Sequence, residues 1–145
     1  MLSKSTEYAV RALVYTAWRN GLGERPGYRE IAKQIGAPPH FLAKVMQQLS
    51  SHSLVWAGRG RGGGFLVMND QASLYEIIVA TEGEHRFRAC GMGLPHCSDD
   101  RPCPFHSQYA PIRGALKKLA LETSIGDLSR ALAEGKAVLY WPVDP

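Results

Sequence analysis

Between Cys90 and His106 the chain reads Cys-Gly-Met-Gly-Leu-Pro-His-Cys-Ser-Asp-Asp-Arg-Pro-Cys-Pro-Phe-His. All three cysteines of the protein fall here, as Cys90, Cys97 and Cys103, and His106 stands three residues beyond the last. Three soft thiolate donors and one imidazole make a ligand set for one tetrahedral metal centre or one iron–sulfur cluster. A structural zinc would take the same donors, but zinc sites usually space their cysteines more tightly, as Cys-x2–4-Cys pairs. A redox-active thiol pair is the third chemistry open to the segment. His96, beside Cys97, reads as a solvated loop residue rather than a ligand. The Gly and Pro content predicts a loop, and one of this length is usually functional or disordered rather than a plain connector.

The rest of the chain must position that loop. At 145 residues it is one ordinary domain or a small domain with a helical appendage, and its 45% hydrophobic content suits a packed globule. Met1 to Arg11 mixes charges and hydroxyls, unlike a signal peptide, and no stretch approaches the ~20 apolar residues of a membrane span. A cytoplasmic location is therefore expected, where thiols stay reduced and clustered cysteines favour metal or redox chemistry over a disulfide. The net charge of +4 is unevenly spread: residues 1–70 hold nine Lys/Arg against four Asp/Glu, and residues 71–145 hold eight against nine. A basic N-terminal half suits nucleic acid. No His/Asp/Glu constellation supports catalysis, and the Gly-Arg run at 58–63 lacks the Lys-Ser/Thr ending of a phosphate loop, so an enzyme or electron carrier is a remote reading.

Helical periodicity predicts a first helix over 5–19, capped by Ser5 or Thr6, with an apolar stripe of Val10, Leu13, Val14, Ala17 and Trp18. A short helix follows over 28–35, stopped by Gly36. A third, about His40 to His52, opens on Pro38-Pro39. Its apolar side carries Phe41, Leu42, Val45, Met46 and Leu49; its other side presents His40, Ala43, Lys44 and Gln47. Two short helices joined by a tight turn behind a support helix form a helix-turn-helix pattern. The β-prone runs 54–57 and 64–68 then flank Gly58-Arg-Gly-Arg-Gly-Gly63, a hairpin with two arginines at its tip, as in the wing of a winged helix. A fourth helix spans 74–81. Beyond the cysteine loop, Phe105, Tyr109, Ile112, Leu116 and Leu119 recur at heptad-like spacing, which predicts a long helix packing on a partner copy, kinked or starting late at Pro111. Ser124-Ile-Gly-Asp127 opens a last short helix through about Glu134 carrying Ile125, Leu128 and Leu132, and Tyr140-Trp141 is expected to pack on the dimer.

Several of these stretches resemble the IscR/NsrR/RirA family of bacterial winged-helix regulators. Ser-Thr-Glu-Tyr-Ala-Val-Arg-Ala-Leu at 5–13 is similar to that family's N-terminal signature. Pro39-x-Phe-Leu-x-x-Val-Met-x-x-Leu, followed by Leu54-Val-x-x-x-Arg59-Gly-x-Gly-Gly-Gly-Phe65, is similar to its recognition helix and wing and is the specific match. Leu74-x-Glu-Ile-Ile and Thr123-Ser-Ile-Gly-Asp-Leu128 resemble its later helices. The family includes members with 2Fe–2S clusters, with 4Fe–4S clusters and with none. The Cys90-x6-Cys97-x5-Cys103-x2-His106 spacing resembles the IscR arrangement around a 2Fe–2S cluster, with one extra residue in the first gap. The nitric-oxide-sensing branch instead completes three cysteines with an acidic residue from the partner's N-terminal helix, and Glu7 stands at about that place. The fourth ligand is thus His106 or Glu7.

The expectation is a mainly α protein in three parts. Residues 1–83 form a winged helix-turn-helix DNA-binding domain with a small β-hairpin wing, 84–106 a sensor loop, and 107–145 a long dimerisation helix plus a C-terminal helix. The resemblance implies a dimeric transcription regulator whose affinity for a double-stranded DNA operator follows an iron–sulfur cluster, 2Fe–2S favoured over 4Fe–4S, at Cys90, Cys97, Cys103 and His106. An apo, thiol-redox or zinc-occupied loop is the alternative. His40, Lys44 and Gln47 are expected at base edges, Arg59 and Arg61 at the minor groove or phosphate, and Arg29 at phosphate; Lys33 and Lys4 could join it there but read more safely as ordinary exposed charge. Tyr109, Ile112, Leu116 and Leu119 are expected to form the dimer seam, setting two half-sites about one helical turn apart.

Overall fold

The computed structural model describes residues 2–141. Six helices and one hairpin follow in the order α1 (Lys4–Gly21), α2 (Tyr28–Ile35), α3 (Pro39–Ser51), β1 (Val55–Gly58), β2 (Gly64–Val67), α4 (Leu74–Glu82), α5 (His106–Glu122) and α6 (Ile125–Ala133). The architecture is the expected mainly α winged helix with a small antiparallel wing. α1 is the central strut and packs on α2, α3, α4, α6 and the wing strand β2.

Helix α1 begins earlier than its periodicity suggests. Ser3, not Ser5 or Thr6, caps it, its hydroxyl accepting from the Thr6 N–H. The buried face is also rotated from the predicted stripe: Ala9, Ala12, Leu13, Val14 and Tyr15 are interior, while Val10, Ala17 and Trp18 are only partly covered. The small alanines let neighbouring helices approach closely, and a pattern built on large side chains passes over them. α2 has the expected bounds and ends on Gly36 in the left-handed conformation (φ 69°). α3 starts with Pro39 in its first turn and buries Leu42, Val45, Met46 and Leu49. Phe41 leaves that set; it is 37% exposed and meets the edge of the Tyr8 ring.

In the wing, Val55 pairs with Val67, Trp56 with Leu66, Ala57 with Phe65 and Gly58 with Gly64. The outer edge of β2 is covered by two devices. The Phe65 N–H donates to the Pro26 carbonyl (2.9 Å), so the turn between α1 and α2 lies along β2 as a partial third strand. Asn20 does the rest: its Oδ1 accepts from Val67 N (2.8 Å), and its Nδ2 donates to Phe65 O (3.0 Å) and Glu24 O (2.8 Å). Gly64 is fixed by the same approach, since a Cβ there would collide with the Arg25 carbonyl at a backbone φ of 122°.

Helices α4 and α6 both begin with a capping box, Ser73 with Glu76 and Ser124 with Asp127. Their entry segments pair with each other: Leu74 N donates to Thr123 O (2.8 Å) and Ile125 N to Ala72 O (3.0 Å), which ties the end of α5 to the start of α4. Residues Glu84–Phe87 form a 3-10 turn within the stretch expected to be loop, burying Phe87 against Ile78 and Ala120. α5 begins at His106, five residues before Pro111, so the late start does not occur. Tyr140 packs over Gly36 in its own chain rather than waiting for a second copy, and Trp141 is 76% exposed. No helix among the described residues is long and apolar enough to cross a membrane.

Candidate functional site

The cysteine segment leaves the 3-10 turn and returns to the first turn of α5. Cys90 therefore comes from one side, while Cys103 and His106 are carried by the entry to α5, where His106 N donates to Cys103 O (3.1 Å). Cys97 lies midway. The three sulfurs converge to within 4.8 Å of one another. Cys90 Sγ is 3.5 Å from Cys103 Sγ, and Cys97 Sγ is 3.2 Å from His106 Nδ1. Cys103 is buried, and Cys90 and Cys97 are half-buried.

The backbone is turned toward the sulfurs. Met92 N donates to Cys90 Sγ (3.3 Å) and Cys103 N to Cys97 Sγ (3.4 Å). Such N–H groups stabilise thiolates and tune any metal they hold. Donation from the Met92 and Leu94 backbones lowers the Cys90 thiol from its ordinary value to about 7. Burial pushes the Cys103 thiol the other way. Nε2 of the His106 ring lies 2.9 Å from Asp99 Oδ1, where an Nε2–H can donate to the carboxylate, and Nδ1 faces Cys97. A carboxylate behind an imidazole is the usual outer partner of a metal-binding histidine, and it fixes the tautomer. Asp99 is a partner the spacing does not reveal, because only the turn of the chain at 98–101 brings it back to His106.

The donor chemistry fits a soft metal or an iron–sulfur cluster: three sulfurs, one imidazole nitrogen and inward-facing amides. The ring Nδ1 of His106 faces the Cys97 sulfur, and the donor atoms that all lie within mutual reach are those of the three cysteines. Glu7 sits on α1, paired with Lys4 at 3.2 Å and still 41% exposed.

The residues expected at DNA divide between two elements. His40, Lys44 and Gln47 are exposed on α3, and Arg59 and Arg61 are exposed at the wing tip. Arg29 is exposed on α2, its guanidinium 5.5 Å from the Tyr28 ring centre. Arg25 was not singled out by the sequence, yet it lies over the Trp56 ring of β1 at 5.4 Å, beside the wing. An apolar hollow between α2, α3 and the wing is lined by Tyr28, Ala43, Met46, Gln47 and Phe65 among others. Of the four α5 residues expected at a seam, Ile112 and Leu119 are 64% and 58% exposed, Leu116 packs partly on Ile78 and Phe87, and Tyr109 is half-buried.

A support helix, a helix-turn-helix, an arginine-tipped wing and a long following helix define a winged-helix transcription regulator. Residues 2–131 match the family described as Rrf2, iron-dependent transcriptional regulator, and the chain belongs to that family. It is similar to the transcriptional repressor NsrR of Streptomyces coelicolor, 30% identical and covering 99% of this chain and 82% of that protein. It is also similar to the transcriptional regulator IscR of Sodalis glossinidius, 30% identical over 88% of this chain and 77% of the other. Among solved structures, CymR, described as the global cysteine regulator of B. subtilis, superposes with a TM-score of 0.74 at 21% identity, covering 90% of this chain and 96% of that one. T. potens IscR does so with a TM-score of 0.72 at 16% identity, covering 95% and 92%. These likenesses place the chain among transcription regulators that bind DNA, not among enzymes.

Proposed function

We propose that this Rrf2-family regulator acts as a homodimer on double-stranded DNA, and that its operator affinity is governed by an iron–sulfur cluster held by Cys90, Cys97 and Cys103. The observation that carries this reading is the convergence of the three sulfurs to within 4.8 Å, at the junction between the winged domain and α5. His106 serves as the fourth ligand, supported by its Nδ1 at 3.2 Å from Cys97 Sγ and by Asp99 behind it. That donor set favours 2Fe–2S. Glu7 of a partner copy is the competing fourth ligand and would go with the other cluster type. The family's description as iron-dependent supports iron over zinc. When bound, the cluster supplies a redox-sensitive, ligand-sensitive charge at the loop.

The chain's own residues connect that charge to DNA. Cys103 and His106 lie at the start of α5, and Thr123, just past its end, accepts from Leu74 at the start of α4. A shift of α5 therefore reaches α4, which packs on α1 and α3, and the exposed Ile112 and Leu119 together. A coupling of ~1–3 kcal/mol along this path changes operator occupancy ~5–150-fold. His40, Lys44 and Gln47 read base edges, while Arg59, Arg61 and Arg29 engage the backbone or minor groove.

A thiol switch is the second reading, favoured by the 3.5 Å approach of Cys90 and Cys103 and by the lowered Cys90 pKa. One experiment separates the two. Anaerobically purified protein is assayed for visible absorption, iron, sulfide and zinc, and binding is measured to duplexes that the protein enriches from a random pool. Stoichiometric iron and sulfide, lost together with regulated binding in Cys97→Ala, are expected. Metal-free or zinc-loaded wild-type protein, or a Cys97→Ala variant with unchanged iron and binding, overturns the cluster reading.

A further inference from the structure

Phe105, Tyr109 and Arg113 stand four residues apart at the start of α5, so they share one face of the helix. The two rings stack with centroids 5.6 Å apart, and the Arg113 guanidinium lies 5.9 Å from the Tyr109 ring centre. Arg113 Nη1 donates to Ala89 O at 2.6 Å and to Arg88 O at 3.1 Å. Immediately after Cys90, Gly91 lies so close to this face that a Cβ there would stand 2.8 Å from the Tyr109 ring and 2.9 Å from Phe105. The backbone on both sides of Cys90 is therefore held to α5 by groups that include no thiol.

We propose that the Phe105–Tyr109–Arg113 face is a clamp that keeps Cys90 beside Cys103 in the metal-free protein, with Arg113 as its positioning residue. Cys103 and His106 join α5 directly, so one helix holds both ends of the segment. Cys90, Cys103 and His106 are thereby held in place without metal, whereas Cys97 lies in the 92–102 arc that this face does not hold. The two N–H groups of Nη1 serve the two carbonyls, and the rest of the planar, always charged guanidinium stays beside the Tyr109 ring; a lysine ammonium could donate twice but on a shorter stem and without that planar group. The significance for regulation rests on the reading that these thiols are the ligand set, but the positioning itself does not.

The test uses the full chain, reduced and stripped of metal under anaerobic conditions, with dibromobimane to bridge neighbouring thiols and mass spectrometry to locate the bridge. Wild type is expected to bridge Cys90 to Cys103. In Arg113→Ala, which removes both charge-assisted hydrogen bonds, that rate should fall by about tenfold or more. Arg113→Lys should recover part of it, and Gly91→Ala, which drives a methyl into the rings, should also slow it. Far-UV circular dichroism establishes that each variant is folded. Wild-type bridging in folded Arg113→Ala overturns the proposal; if that variant loses its helical signal, wild-type bridging in Arg113→Lys and Gly91→Ala overturns it instead. No metal takes part in this assay, so it fails or succeeds independently of the iron and sulfide measurement.

Discussion

The wing depends on a side chain outside it. Asn20 supplies one acceptor and one donor to the outer edge of β2, meeting Val67 N at 2.8 Å and Phe65 O at 3.0 Å. Asn20→Ala removes both and leaves a half-buried N–H and C=O without those partners. At ~1 kcal/mol net for each bond, the loss is ~1–3 kcal/mol. The better helix propensity of alanine near the end of α1 returns at most ~0.5 kcal/mol of it. For a chain of this size the remainder lowers Tm by ~2–8 °C. Asn20→Asp is the informative companion, because it keeps the acceptor for Val67 but places a carboxylate against the Phe65 and Glu24 carbonyls. Thermal unfolding by circular dichroism gives the global effect, and amide hydrogen exchange gives the local one, with protection at Val67 lost in Asn20→Ala before that of α1. A Tm within about 1 °C of wild type, together with unchanged protection at Val67, would refute the strand-edge role.

Arg59→Ala and Arg61→Ala should each reduce the slope of log affinity against log salt by ~1 on a mixed-sequence duplex, measured by fluorescence anisotropy; unchanged slopes would remove both from the phosphate surface. In metal-free protein, Cys90 passes from thiol to the reactive thiolate as pH rises through about 7. Its alkylation should therefore be half-maximal near neutrality and flat above, while Cys103, raised by burial, stays slow. A Cys90 midpoint at the ordinary thiol value of ~8.5 contradicts this. Ile112→Glu with Leu119→Glu places charge on the exposed stripe of α5 and should convert a dimer to monomer in sedimentation velocity; a dimer that survives both substitutions does not use that face.

Much of the fold is legible because its signals are local. Gly36 ends α2, Pro39 opens α3, and Ser73 and Ser124 cap α4 and α6, each through its own backbone preference or side-chain chemistry. The misreadings come from long-range packing. Nothing near Asn20 announces that it will border a strand forty-five residues away, and nothing near Tyr140 announces Gly36. The small residues Ala9 and Ala12 weigh little in a hydrophobic pattern, yet they decide which side of α1 is interior.

The candidate site shows the same limit more sharply. Its donors are plain in the sequence because thiols and imidazole are chemically distinctive at any spacing. Their supports are not. Phe105, Tyr109, Ile112, Leu116 and Leu119 look like one seam, but periodicity records only that residues share a helix face; it carries no information about what covers them. In the structure the set divides three ways. Phe105 and Tyr109 receive Gly91, Leu116 closes on Ile78 and Phe87, and Ile112 and Leu119 remain open. Arg113, which reads as an ordinary polar residue beside the seam, reaches the carbonyls of Arg88 and Ala89 instead. One helix thus serves the cysteine loop with its first turns and leaves Ile112 and Leu119 bare further along. Any force that moves the loop acts on the helix that carries them.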